Sequence, residues 1–186
     1  MYLVFDTETN GLPKSFSAPI GEAWPRIVQI AWQLCDDQGN IVEEEDIIIN
    51  PDFIISEESI RIHRITNEIA KEKGIPISKA LEKFSIALEK ATHTIAHNHF
   101  FDEKVVLSEF KRIQRESTFK EKEIICTMQR TTLFCKIING NGYKWPNLQE
   151  LHKKLFEENF EQAHNALVDV NACRKCFFEL KKRRVL

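Results

Sequence analysis

Three apolar runs crowd into the first 49 residues: YLVF at 2–5, RIVQIAWQLC at 26–35 and IVEEEDIII at 41–49. Only the turn DDQGN separates the last two, and a connection that short joins neighbouring strands antiparallel. The chain therefore builds sheet before it builds helix. Helical periodicity begins at 78–91, where Ala80, Leu81, Phe84, Ala87, Leu88 and Ala91 share one face. A short strand at 93–98 follows, then an amphipathic stretch through 101–116 and a strand at 123–127. Further helical patterns cover 127–137, 148–158 and 165–182. An antiparallel meander followed by alternating strands and helices predicts an α/β architecture, a mixed sheet covered by helices. The 186 residues, 42% of them hydrophobic, suffice for one sizeable core, so a single domain over 1–186 is expected.

Composition removes several classes of function. No uninterrupted apolar stretch approaches the roughly 18 residues of a membrane span, and the opening MYLVFDTE lacks the basic start and long apolar centre of a signal peptide. A cytoplasmic protein with no membrane partner is expected. The five cysteines are an odd number without a dense framework, which suits reduced thiols. Cys173 and Cys176 form a CxxC inside a helical pattern with no second pair at zinc-finger spacing, so they read as packed thiols. The net charge of −2 argues against blanket neutralisation of a long duplex. KKRR at 181–184 reads as a solvated helix end favoured by the macrodipole.

Against that background, VFDTETNGL at 4–12 is unusual, because Asp6 and Glu8 end an apolar run. If the strand continues through residue 8, a period of two puts both carboxylates on one side and Thr7 on the other. Like charges so close raise each other's pKa unless a cation or solvent lies between them. A divalent metal is the economical solution, since hard cations such as Mg²⁺ take carboxylate oxygens together with water or substrate phosphate. An isolated DxE is more commonly a solvated turn. A calcium loop fails, because Ser17 stands where a bidentate Glu is required and the preceding segment is strand.

Two further acidic residues occupy matching contexts. AHNHFFD at 96–102 follows a short strand and sets Asp102 near the start of the next helix. HNALVD at 164–169 opens a helix whose apolar stripe is Ala166, Val170, Cys173, Phe177 and Leu180. At ~100° per residue, Asp169 lies about 60° from the middle of that stripe, on the border of the buried face. His164 stands five residues earlier and would not stack over Asp169 on one helix face, which places it at the helix entrance.

DTET, HNHFFD and HNALVD resemble, in order and spacing, the three motifs of the DEDDh, or DnaQ-like, 3′→5′ exonuclease family, over about residues 2–182. DTETNGL is similar to the epsilon-type proofreading branch, IHRIT at 62–66 resembles its HGIT segment, and WPNLQELHKKLF at 145–156 resembles the segment before the third motif. The resemblance implies an RNase H-like fold whose five-stranded mixed sheet has its first three strands antiparallel. It implies two divalent cations, Mg²⁺ or Mn²⁺, held by Asp6, Glu8, Asp102 and Asp169. Asp6 would bridge them, Glu8 and Asp169 would complete the first shell, Asp102 would serve the second, and His164 would be the general base. Substrate contacts carried over by position are Thr7, Thr9, Leu12, Glu58, His63, His97 and Asn98, with Leu12 as a wedge against the terminal base. Arg64 departs from the pattern, which has glycine after the histidine.

The implied chemistry is two-metal phosphodiester hydrolysis, in which ions about 3.5 to 4 Å apart stabilise both entering and leaving oxygens. An imidazole, ordinarily titrating near pH ~6.5, takes the proton of the attacking water, so activity is expected to fall in acid. The expected substrate is a nucleic-acid 3′ end, DNA favoured over RNA and single-stranded or frayed, with release of nucleoside monophosphates. A DNA polymerase subunit is the implied protein partner; a stand-alone repair or degradative enzyme is equally open. A catalytically silent nucleic-acid- or polymerase-binding subunit of the same fold is the alternative. Retention of all four carboxylates and His164 argues against it. His93, His99 and His152 read as surface or core-edge residues, and Phe100 and Phe101 as core packing.

Overall fold

The computed structural model describes residues 1–140, 142–161 and 164–186. Strands β1 (Tyr2–Thr9), β2 (Ile27–Cys35) and β3 (Ile41–Ile48) form the expected meander. Helices α1 (Glu57–His63), α2 (Asn67–Lys73) and α3 (Ile77–Lys90) lead into β4 (His93–Ala96), then α4 (His99–Arg112) and β5 (Glu123–Cys126). Two single turns, α5 (Thr127–Arg130) and α6 (Thr132–Cys135), precede a small hairpin of β6 (Ile138–Asn139) and β7 (Gly142–Tyr143), and then α7 (Leu148–Phe156) and α8 (Ala166–Lys182). The five-stranded sheet runs β3-β2-β1-β4-β5. β1–β2 and β2–β3 are antiparallel, whereas β1–β4 and β4–β5 are parallel. The fold class expected from the sequence is the one found.

Alternation along β1 divides the two cores. Leu3 and Phe5 join Trp32, Phe84 and Phe110 on the face covered by α3 and α4. Val4 joins Ala31, Ile95, Val170 and Phe177 on the face covered by α8. With helices on both faces, every residue of β2 is buried, including Gln29 and Gln33. Buried amides require partners. Gln29 finds one in Asp46 at 2.6 Å and another in the backbone N–H of Ala166, which donates to its Oε1 at 3.1 Å. Because Gln29 lies opposite Glu8 in the β1–β2 register, this bond fastens the start of α8 beside the acidic end of β1.

Three elements depart from the expectation. The pattern at 127–137 resolves into two single turns broken at Thr131, and the hairpin at 138–143 carries no strand-length run to announce it. The short helices α1 and α2 are announced only by Ser56 and Thr66, whose side chains accept from the backbone N–H groups of Ser59 and Ile69. The third departure explains the unusual Arg64. It closes α1 at φ +65°, donating its N–H to the Ile60 carbonyl at 2.8 Å, a left-handed cap that favours glycine. Arg64→Gly is therefore expected to stabilise the protein by about 1 kcal/mol, raising Tm by about 2–4 °C in thermal melts. A lower Tm would mean that the arginine side chain offsets its own backbone strain.

Candidate active site

β1 runs on through Thr9, so Asp6 and Glu8 project from the α8 face while Thr7 points to the α4 face. α4 begins at Asn98, whose φ of +81° is a left-handed value that asparagine tolerates. Asp102 lies in the first turn. There Thr7 captures it: the Thr7 backbone N–H and hydroxyl donate to Asp102 Oδ1 at 3.1 and 2.7 Å. The residue between the two acidic positions of the first motif thus holds the acid of the second. The Asn165 side chain accepts from the N–H of Val168 to start α8, and the His164 N–H donates to Asp169 Oδ2 at 3.1 Å. His164 has φ +70°, which turns the chain back over the helix start.

Three separate segments therefore deliver four carboxylates to one place. Burial, then the charges of Asp102, Asp169 and Glu8, raise the Asp6 carboxyl well above its ordinary range. Burial, followed by Asp169 and Asp102, pushes Glu8 up to about 8. Burial carries Asp102 to about 7 against the two Thr7 bonds, and Asp169 to about 6 against the His164 N–H. Ligand atoms of Glu8, Asp169 and His164 lie within 4.8 Å of one another. Asp169 Oδ1 is buried and accepts no hydrogen bond among the described residues. An all-carboxylate set with one oxygen of Asp102 and one of Asp169 tied back, and a buried oxygen without a donor, fits a hard dication.

A cavity of about 420 Å³ opens beside Glu8. It gathers Thr7, Thr9, Leu12, Glu58 and His63 from the substrate positions singled out in the sequence, adds Asn10, Ser59 and Ile62, and is lined by Phe101, which the sequence reads as core packing. Leu12 is 76% exposed on the rim. His63 is buried, and burial lowers its pKa. Its Nδ1 accepts from the Ile65 N–H at 3.1 Å, while Nε2 has no partner among the described residues. His97 and Asn98 are not brought to this cavity. His97 Nδ1 meets the Thr127 hydroxyl and Nε2 the Pro146 carbonyl, each at 3.0 Å, and burial lowers its pKa to about 4. A ring engaged at both nitrogens reaches a substrate only by releasing one of them. Asn98 shapes the backbone into α4. Ser59, Ile62 and His63 lie at helical spacing, a signal hidden by the shortness of α1.

The remaining histidines differ in setting. His99 and His152 are core residues, bonded to Thr94 at 2.9 Å and to the Glu158 carbonyl at 3.0 Å, and His93 pairs with Glu123 at the sheet edge. All five cysteines are free and buried, the CxxC pair included. No helix among the described residues is long and apolar enough to cross a membrane.

The exonuclease family model, RNase T, matches residues 3–177. The chain belongs to this exonuclease family. Residues over 96% of the chain align at 27% identity with 72% of the DNA polymerase III subunit epsilon of Rickettsia conorii. The fold matches E. coli exonuclease I in complex with a dT13 oligonucleotide at a TM-score of 0.78 and 21% identity, covering 98% of this chain but 41% of that one. Exonuclease X in complex with 5′ overhanging duplex DNA matches at a TM-score of 0.65 and 25% identity, covering 98% of this chain and 92% of that one. The family, the DnaQ-like fold and its epsilon-like character are those expected from the motifs.

Proposed function

We propose that residues 1–186 form one exonuclease domain that hydrolyses phosphodiester bonds at 3′ ends, releasing nucleoside monophosphates, with DNA favoured over RNA. The observation that carries this reading is the convergence of Asp6, Glu8, Asp102 and Asp169 from three segments, each holding its proton more tightly than an ordinary carboxylate. Asp6, Glu8 and Asp169 on one side and Asp6 and Asp102 on the other are the residues that would hold two Mg²⁺ or Mn²⁺ ions. When bound, such ions supply stabilisation of charge on the entering and leaving oxygens. The protein's own part is positional. Thr7 fixes the Asp102 carboxylate, Gln29 and the His164 N–H fix the start of α8, and the His164 ring takes the proton of the attacking water. The cavity lined by Thr9, Leu12, Glu58 and His63 receives the terminal nucleotide, with the neutral His63 offering its free Nε2–H.

The DNA in the two solved complexes supports a DNA end, single-stranded or frayed, as substrate, and the epsilon relative supports a DNA polymerase as partner. A cytoplasmic location accords with both. The intact tetrad and His164 favour a working enzyme over a silent subunit.

The test follows a labelled single-stranded DNA oligonucleotide with Mg²⁺ or Mn²⁺, with and without chelator. Stepwise shortening from the 3′ end that chelator stops is expected. Shortening from the 5′ end, or none with either metal, would reject the reading.

A further inference from the structure

Between Glu123 and Glu150 lie 26 residues without an acidic side chain, in a protein whose net charge is −2. The span carries Arg130, Lys136 and Lys144. Lys144 is neutralised by Glu150 at 2.6 Å, whereas Arg130 and Lys136 are exposed and have no acidic partner among the described residues. Large apolar side chains of the same span stand in solvent: Leu133, Ile138, Tyr143 and Trp145. Ile138 and Tyr143 face each other across the β6–β7 hairpin, which the Lys144 N–H closes onto the Ile137 carbonyl at 2.9 Å.

The base of this hairpin is tied to the segments that form the active site even though Ile138 and Tyr143 are exposed. Pro146, next to Trp145, gives its carbonyl to His97, whose other nitrogen meets Thr127 at the start of α5. Thr127 also lies 3.6 Å from Cys173 Sγ, one helical turn beyond Asp169 on α8. Both ends of the acid-free span are thus tied to the segments that deliver Asp102 and Asp169. His97 thereby ties the hairpin base to the α4 entrance without entering the cavity.

We infer that the β6–β7 hairpin and Trp145 form a second contact surface for single-stranded nucleic acid, on which bases internal to the terminal nucleotide stack while Arg130 and Lys136 meet the phosphates. Exposed aromatics beside cations without acidic neighbours are the means by which proteins hold single strands irrespective of sequence. An apolar protein partner would account for the exposed side chains but not for the missing acids; a polyanion accounts for both. The inference rests on the exonuclease reading above, and extends it from the last nucleotide to the strand that follows.

The chain reports on this surface through its own fluorescence. Trp24 and Trp32 are 2% and 0% exposed, while Trp145 is 58% exposed, so a bound strand quenches Trp145. In chelator, where no cleavage occurs, a single-stranded oligonucleotide of about 15 nucleotides is expected to quench the emission and a dinucleotide is not. The double variant Tyr143→Ala, Trp145→Ala is expected to raise Kd for the longer strand about 10- to 100-fold. It should leave kcat/KM for a labelled dinucleotide with Mn²⁺ at the wild-type value. An unchanged Kd in the double variant, or loss of binding to a polymerase subunit with DNA affinity intact, would overturn the inference. Quenching that persists in a protein unable to cleave either substrate would support the surface while counting against the exonuclease reading, so the two fail separately.

Discussion

Asp6→Asn is expected to abolish nucleotide release and, in the same molecule, to raise the stability of the metal-free fold. The two effects share one cause. Asp6 sits among Asp102, Asp169 and Glu8, and its carboxyl is raised by burial and by all three of those charges. As an anion without a cation it is a liability to folding; with dications present it is the ligand proposed to join them. Asparagine keeps the shape and one oxygen but removes the charge. A dication contributes several kcal/mol to stabilising transition-state charge, so misplacing it should cost kcat at least about 10³-fold. Removing one buried like charge should stabilise the metal-free protein by about 1–3 kcal/mol, or about 2–12 °C in Tm. Single-turnover cleavage and thermal melts in chelator check the two halves. Near wild-type turnover would remove Asp6 from the bridging position, and a lower Tm would mean that its anion is compensated in a way the surrounding residues do not suggest.

What could be read from the sequence follows a physical division. The sheet, its mixed order and both faces of β1 were legible because period-two alternation and short turns act locally, and Asp6 and Glu8 inherit their common side from that alternation alone. Asp102 and Asp169 could be placed at helix starts, but their meeting with Asp6 is a tertiary event that only the resemblance implied. The role of Thr7 was hidden for the opposite reason. Alternation places it on the far face, yet nothing local says that α4 brings an acid to that face. Motif position makes His97 a substrate contact, whereas its nitrogens are committed to Thr127 and Pro146, residues 30 and 49 positions away. α1 escaped because seven residues give too few turns for a periodic signal, and with it went the cavity contributions of Ser59 and Ile62.

The same electrostatics predict that the metal-free protein loses stability as pH rises from about 6.5 to 8, and that Mg²⁺ or Mn²⁺ cancels the trend. Glu8 and Asp102, raised to about 8 and about 7, hold protons in the folded state that the unfolded chain, with ordinary carboxyls near pH ~4, has already released. Wherever the folded state binds more protons, stability falls with rising pH. His63 and His97 work the other way, since burial lowers their pKa and acid must force protons onto rings that the fold keeps neutral. Their contribution changes only below about pH 6.5, the ordinary histidine value. Above it the carboxylates dominate, and the buried thiols of Cys35, Cys173 and Cys176, raised by burial, add a smaller contribution of the same sign near pH 8. From about 6.5 to 8, Glu8 by itself accounts for about 2 kcal/mol, or about 4–8 °C in Tm, and Asp6 adds to it in the same direction. Dications compete with those protons for the same oxygens, so at saturating Mn²⁺ the melting temperature should stay nearly level over this interval and its excess over the metal-free value should be largest at pH 8. Melting curves at three pH values, in chelator and in Mn²⁺, decide the matter: a metal-free Tm that climbs from pH 6.5 to 8 would mean that the four carboxylates are not the mutually repelling, cation-seeking group from which the proposed chemistry is derived.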